Sequence, residues 1–207
     1  RHSMVDGAPA GFSRAEIHTA WNLAEKTIKQ AEQVSAEVVV PAIQELRYAG
    51  RRFVEADAHE QKGEDEEAKR LLSDAYFFCC RAQHDAIDAA TAKISLDLGT
   101  CVNGVTPADK VAVFPEYNEL LDALISIEER VAQSRENRED RQHIYVTLAK
   151  TDFERIIELH KKFRRCEPEL SKLARKASRA WLGKLAWMIG AAMLGFFLYP
   201  LRTLVFG

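Results

Sequence analysis

The sequence predicts an all-α protein, an antiparallel helical bundle followed by a C-terminal transmembrane helix. The composition is rich in Ala, Glu, Arg and Leu, with 10 glycines and 6 prolines among 207 residues, which favours helices over strands. Apolar residues recur at helical spacing along most of the chain. Residues 181–201 are almost wholly apolar and contain one charge, which is typical of a membrane segment.

The N-terminal part predicts one amphipathic helix within residues 4–35. Residues 1–3 precede Met4 and are interpreted as a remnant of expression. No secretory signal is expected, because the residues before Ser13 lack an apolar core. Ser13 and Glu16 have the spacing of a capping box, in which each side chain satisfies the other's backbone amide at a helix start. Helical apolar spacing follows directly.

The predicted bundle occupies residues 36–165 and contains several helices long enough to bury a shared core. Proline is tolerated in the first turn of a helix and glycine is favoured just after the last. We therefore expect the second helix to begin at Pro41, and a long helix to occupy residues 64–98 with Gly99 as its C-cap. A short helix is expected at Thr106 within a loop-like segment, residues 99–114. A further helix is expected to begin at Pro115, and Pro168 is expected to end or kink the last helix.

The charge is distributed unevenly, although the net charge is only −2. The chain from Lys161 to Lys184 contains nine basic and two acidic side chains, and residues 1–160 contain 19 basic and 29 acidic ones. The predicted basic neck, residues 166–180, favours attraction to anionic lipid. Binding of nucleic acid is the competing interpretation, which the acidic head disfavours.

The four cysteines have no spacing typical of a zinc site. No Gly-rich phosphate loop or nucleotide motif is present either. We therefore expect free thiols in a reducing compartment, with no metal and no cofactor.

The predicted transmembrane helix, residues 181–201, would reach about 30 Å at ~1.5 Å per residue, which matches a hydrocarbon core. Trp181, Trp187 and Tyr199 resemble interfacial aromatic residues. The basic excess on the N-terminal side predicts a single-pass membrane protein with a cytoplasmic head. The alternatives are a buried central helix and a helix lying flat at the interface.

Small residues four apart within this segment predict a homo-oligomer, because they let helix backbones approach closely. The pairs are Ala186 with Gly190 and Ala191 with Gly195. Basic residues beside the segment predict binding to a membrane surface. They are Arg175, Lys176, Arg179 and Lys184.

Arg138 and His143 resemble the Arg-x4–6-His motif of HEPN ribonucleases, which are four-helix domains that usually work as dimers. The resemblance implies that the imidazole of His143 would move a proton and the guanidinium of Arg138 would stabilise charge on the scissile phosphate. Glu139 stands where the family commonly has another polar residue, and an acid there would repel phosphate.

Two further segments are similar to the first two helices of HEPN-like bundles. They are Gln44-Glu-Leu-Arg-Tyr-Ala-Gly-Arg-Arg-Phe53 and Ala82-Gln-His-Asp-Ala-Ile87. The resemblance implies that the Glu-Leu-Arg of the first packs against a helix of the form Arg-Ala-x-x-Asp-Ala in the second. Arg52 stands where such a first helix can carry a His, which favours a non-catalytic scaffold. Arg81 and His84 are alternatively interpreted as part of a solvated face.

These observations predict a membrane-anchored, oligomeric helical protein that is not an enzyme. By resemblance it would serve as an accessory or membrane-disrupting, pore-type effector in prokaryotic antiviral defence, with a protein partner in the cytoplasm. The alternative is a membrane-tethered HEPN-type ribonuclease that uses Arg138 and His143 on RNA.

Overall fold

The computed structural model describes the backbone of residues 12–136 and 141–206, and the side chains of residues 12–134, 144–184 and 186–190. This part of the chain is helical and contains no β-strand. Its elements are α1 (Arg14–Ser35), α2 (Val40–Glu60), α3 (Asp65–Cys101), α4 (Pro107–Val113), α5 (Tyr117–Glu136), α6 (Arg141–Thr147), a π-helical segment (Leu148–Asp152) and α7 (Phe153–Phe206). The prediction of an all-α helical bundle is confirmed.

The ends of several helices follow directly from the sequence. The Glu16 backbone amide donates to Ser13 Oγ at 3.3 Å, and the Ser13 amide donates to Glu16 Oε2 at 2.8 Å. The predicted capping box is therefore confirmed. Pro41 lies in the first turn of α2, and Thr106 caps α4 by accepting from the Asp109 amide at 3.2 Å.

The chain forms two compact units. The first comprises the residues up to Leu96 together with Glu119–Lys161. In its core, Ile17 of α1 packs with Ala56 of α2 and with Leu72 of α3. Three residues later along α1, Ala20 packs with Ala49 and Cys79. The partner positions decrease along α2 and increase along α3, so α2 runs antiparallel to both of its neighbours.

The later helices of the first unit are joined by ion pairs and one buried hydrogen bond. Lys26 of α1 pairs with Glu154 of α7. Arg130 of α5 donates to Asp152 Oδ2 at 2.6 Å, at the end of the π-helical segment. Ser134 Oγ of α5 donates to Tyr145 Oη of α6 at 3.0 Å in a buried position. These contacts fix α5, α6 and the start of α7 within the unit.

The second unit comprises Asp97–Asn118 and the chain from Lys162 onward. Phe114 and Phe163 are fully buried in its core, with ring centroids 6.0 Å apart. Lys162 donates to Glu116 Oε1 at 2.9 Å. Ser171 Oγ lies 3.7 Å from Cys101 Sγ. These contacts attach α7 to the segment that contains α4.

The helix end predicted at Gly99 is wrong, and of the end or kink predicted at Pro168, the end is not observed. α3 continues past Gly99 to Cys101, because Val102 after it is buried and its amide still bonds to the Leu98 carbonyl at 3.1 Å. Pro168 does not end α7. The proline is exposed and Leu170 beside it is fully buried, so tertiary packing outweighs the loss of one backbone hydrogen bond. The boundary predicted after residue 165 therefore falls inside one helix.

The predicted transmembrane helix is a second correction. Among the described residues, no helix has an apolar stretch long enough to cross a membrane. The predictions of a spanning helix at residues 181–201 and of a single-pass membrane location are therefore wrong. Within that range, side chains are described only as far as Gly190 and include the charged Lys184. Ten helical residues span about 15 Å, about half of a hydrocarbon core.

Candidate functional site

The predicted catalytic pair is not brought together in the part of the chain that the structure describes. Arg138 lies outside the described residues. His143 lies in α6, where the backbone is described and the side chain is not. The catalytic roles of Arg138 and His143 therefore stay predictions.

The two segments that resemble HEPN-like helices contact one another. Glu45 Oε2 of α2 lies 3.8 Å from Arg81 Nη1 of α3. The Glu45 side chain is mostly buried, and burial raises the pKa of its carboxyl above the ordinary value although Arg81 acts in the opposite direction. The guanidinium of Arg81 also lies 5.7 Å from the Phe78 ring centroid, so Arg81 lies beside both a carboxylate and an aromatic ring.

One turn further along α3 is a group of polar residues that we call the His84 cluster: Glu45, Arg81, His84, Asp85, Asp88 and Tyr145. His84 Nδ1 lies 3.3 Å from Asp85 Oδ1, and Nε2 lies 3.4 Å from Asp88 Oδ2 without the geometry of a hydrogen bond. The Tyr145 ring centroid lies 4.5 Å from that of His84. The cluster therefore joins α2, α3 and α6.

The carboxylates of this cluster form an anionic surface. Asp85 and Asp88 expose about a third of their side chains, 32% and 37%. Within residues whose side chains are described, no group of three or more His, Cys, Asp or Glu side chains is arranged to hold a metal ion. Beside His84, the carboxylates of Asp85 and Asp88 present negative charge to whatever binds there.

Asp85 and Asp88 also line a groove of about 530 Å³ in the first unit, which we call the Val38–Leu96 groove. Its walls are formed by the end of α1, the connection to α2 and one side of α3. Val38 and Leu96 are each 65% exposed. The lining residues are Ser35, Glu37, Val38, Val39, Pro41, Asp85, Asp88, Ala89, Ala92, Lys93 and Leu96.

The local sequence explains why an apolar groove forms here. Ala36 adopts a left-handed conformation (φ 56°) and ends α1. The connection is short and turned, because the Val40 amide donates to the Val38 carbonyl at 3.0 Å and α2 begins at Val40 with Pro41 in its first turn. Val39 is buried, and Val38 and Val40 are exposed. On α3, the groove residues recur at intervals of three and four, so they share one side of the helix. Ala86, Ala90 and Ile94 lie on its buried side.

A second unusual surface lies on α7, in residues 172–190, which we call the distal α7 segment. From Ser178 to Gly190, every residue with a described side chain is exposed. Large apolar side chains lie among them at these exposed fractions: Trp181 62%, Leu182 56%, Trp187 75%, Met188 57% and Ile189 55%. A helix that is apolar on all sides is normally buried, so this surface is suited to a binding partner.

The residues predicted for oligomerisation and for membrane-surface binding belong to α7. Ala186 and Gly190 are exposed, and a Cβ added at Gly190 would meet nothing within 4 Å. The side chains of Ala191 and Gly195 lie outside the described residues. The predicted basic residues Arg175, Lys176, Arg179 and Lys184 are all exposed.

Sequence reasoning missed the Val38–Leu96 groove. Leu96 was predicted only as part of the helix over residues 64–98. A signal was available, because Asp85, Ala89, Ala92 and Leu96 form a second stripe on α3 beside its core stripe.

Comparison of the chain with known protein families, with characterised proteins and with solved structures gives no match.

Proposed function

We propose that this protein is a non-enzymatic accessory protein that acts by binding protein chains and that assembles with copies of itself through the distal α7 segment. The exposure of Trp181, Trp187 and the neighbouring apolar residues carries the proposal. Proteins that function as monomers rarely expose contiguous apolar patches of this kind. Aromatic side chains and Met are also enriched where protein surfaces meet.

The proposed head is a HEPN-like bundle, and the proposed setting is prokaryotic defence. The contact between Glu45 and Arg81 supports the resemblance, because it joins the two segments that carry it. We do not propose pore formation, because a pore would need a membrane-spanning helix and the described residues contain none.

Light scattering on the full chain tests the proposal. We expect the mass to exceed that of the 23.4 kDa monomer and to rise with concentration. Trp187→Asp places a charge in the apolar surface and should shift the protein to the monomer. Ile125→Asp is the matched control, because Ile125 is a similarly exposed apolar residue of α5 (45%). It should leave the mass unchanged.

Two outcomes would contradict self-assembly. One is a wild-type mass of one chain at every concentration. The other is a monomer that binds vesicles containing anionic lipid through Lys176 and Arg179, since the basic residues are predicted to attract such a surface. Sedimentation with phosphatidylserine vesicles separates this outcome from assembly.

A second candidate function is the HEPN-type ribonuclease. The packing of α6 against His84 through Tyr145 places His143 on a helix that contacts the HEPN-like segment of α3. RNA would then be the substrate, and its cleavage would depend on Arg138 and His143.

A further inference from the structure

The Val38–Leu96 groove and the distal α7 segment have complementary chemistry. The groove combines an apolar floor with the carboxylates of Asp85 and Asp88. The segment combines exposed apolar side chains with basic ones, and no acidic residue follows Glu169 in the chain. A surface that is apolar and anionic selects a partner that is apolar and cationic.

The two surfaces also match in spacing. Along α3 the groove stripe contains two acids, two alanines and one large apolar residue, in the order Asp85, Asp88, Ala89, Ala92 and Leu96. The same intervals, counted along α7 from Lys176, give two bases, two small residues and one large apolar residue. In order, they are Lys176, Arg179, Ala180, Gly183 and Trp187. Each stripe lies on one side of its helix, because its members are three or four residues apart.

This match predicts how the two helices would pack. If they run in the same direction, the central residues of the two stripes meet, so Asp85 faces Lys176 and Leu96 faces Trp187. Small residues at the centre permit close approach of helix backbones. A Cβ at Gly183 would meet nothing within 4 Å, so this position has space for a partner.

We propose that the Val38–Leu96 groove of one copy receives the distal α7 segment of a second copy, with the two helices parallel. The inference rests on the proposed self-assembly and names the surface that receives the segment. Lys93 and Lys184 occupy equivalent positions in the two stripes, and their long side chains can direct both charges to solvent.

The contact joins two different surfaces, so each copy in a pair keeps one groove and one segment available. Such head-to-tail contacts form closed rings or growing chains instead of stopping at a symmetric dimer. The mass should therefore exceed that of two chains at high concentration.

Charge exchange between copies tests the inference. Asp85→Lys alone and Lys176→Asp alone should each weaken assembly by about tenfold or more, since a close interfacial ion pair becomes a like-charge pair. Mixing the two variants should restore assembly, because the lysine introduced in one groove would meet the aspartate introduced in the other chain's segment. The remaining groove and segment keep their native Asp85 and Lys176. Asp122→Lys, an exposed acid of α5, is the matched control and should have no effect.

Leu96→Asp provides a second variant that does not depend on the His84 cluster, and it should also weaken assembly. Thermal unfolding followed by circular dichroism verifies that each variant is folded.

The inference is overturned if Trp187→Asp gives a monomer while Asp85→Lys and Leu96→Asp leave the mass unchanged, and self-assembly itself then stands. It is also overturned if the mixture fails to recover, or if Gly190→Leu alone abolishes assembly, which would indicate α7 packing on α7. If no variant changes the mass, including Trp187→Asp, the proposed function fails as well.

Discussion

Glu45 Oε2 and Arg81 Nη1 lie 3.8 Å apart, across the boundary between α2 and α3. This distance is too long for a hydrogen bond, and Glu45 Oε2 makes none to the described residues. The carboxylate therefore receives only part of the stabilisation that it lost when it left water. Burial is the largest influence on its pKa, which is raised.

The first prediction concerns the pH dependence of stability at Glu45. A raised pKa in the folded state means that folding favours the protonated acid. Glu45 therefore favours folding below its ordinary pKa near 4.5, and this advantage is lost as the pH rises through the folded value. Glu45→Gln should raise the free energy of unfolding at pH 7 by less than about 1 kcal/mol, and the difference should vanish below about pH 4.

Urea unfolding at a series of pH values measures this difference. Glu55→Gln is the matched control with the opposite sign. Hydrogen bonds from Arg51 and Arg52 lower the pKa of Glu55, so the wild type should be the more stable protein above pH 4.5 and lose that advantage as the pH falls. A variant at Glu45 that is less stable than the wild type at pH 7 would contradict the prediction.

The second prediction concerns the reactivity of the cysteines. Burial raises the pKa of Cys79 to about 12 and that of Cys80 to about 11. At pH 8 only roughly a thousandth of a thiol with a pKa near 11 is the reactive thiolate. Iodoacetamide should therefore label the half-buried Cys166 first, and Cys79 and Cys80 should react at least about a hundredfold more slowly.

Peptide mass spectrometry after timed alkylation gives the order of labelling. All four cysteines should react at similar rates in 8 M urea, which is the control for intrinsic reactivity. Early labelling of Cys79 in the native protein would show that α3 opens locally.

The third prediction concerns the core of the second unit. Phe163 is fully buried and packs near Phe114. Phe163→Ala should cost about 3–5 kcal/mol of stability, from lost apolar burial and from the cavity left behind. Val111→Ala, at a position that is 39% exposed, should cost less than about 1 kcal/mol. Circular dichroism during urea unfolding compares them, and equal losses would contradict the assigned core.

The fourth prediction separates the two candidate functions. If the protein is a ribonuclease, wild-type full-length chain should cleave RNA, and His143→Ala should reduce the rate by at least about a hundredfold. His18→Ala is the control, since His18 lies on α1. We expect no cleavage by the wild type under the favoured, non-enzymatic function. Cleavage that depends on His143 would overturn that function.

The sequence predicts those parts of the fold that are determined by local chemistry. Ser13 and Glu16 fix the start of α1, because both halves of a capping box are written in the sequence. Pro41 similarly fixes the start of α2. Gly99 and Pro168 misled the prediction, because the buried residues Val102 and Leu170 keep their helices intact. Contacts between distant residues thus outweigh local preference.

The candidate site could be predicted only in part. The basic residues of α7 are evident from the sequence, since charge can be counted without a structure. Val38 and Leu96 both line the groove. They are far apart in the chain, and they come to the same groove only after α2 and α3 pack. The apolar run after Trp181 was predicted to span a membrane. The sequence shows how apolar a helix is, but it does not show what surrounds that helix in the folded protein.

The π-helical segment at Leu148–Asp152 has a consequence for the length of the chain. A single π turn is equivalent to one residue inserted into an α-helix, and one residue turns a helix by about 100°. Tyr145, before the segment, faces His84, and Arg130 binds Asp152 at its end. Removal of one residue from the segment, such as the exposed Lys150, would convert the π turn to a regular α-helical turn and leave Tyr145 facing α3, because the π turn already absorbs the extra residue. The contacts made by Tyr145 and Asp152 are therefore compatible with a chain that is one residue shorter between them.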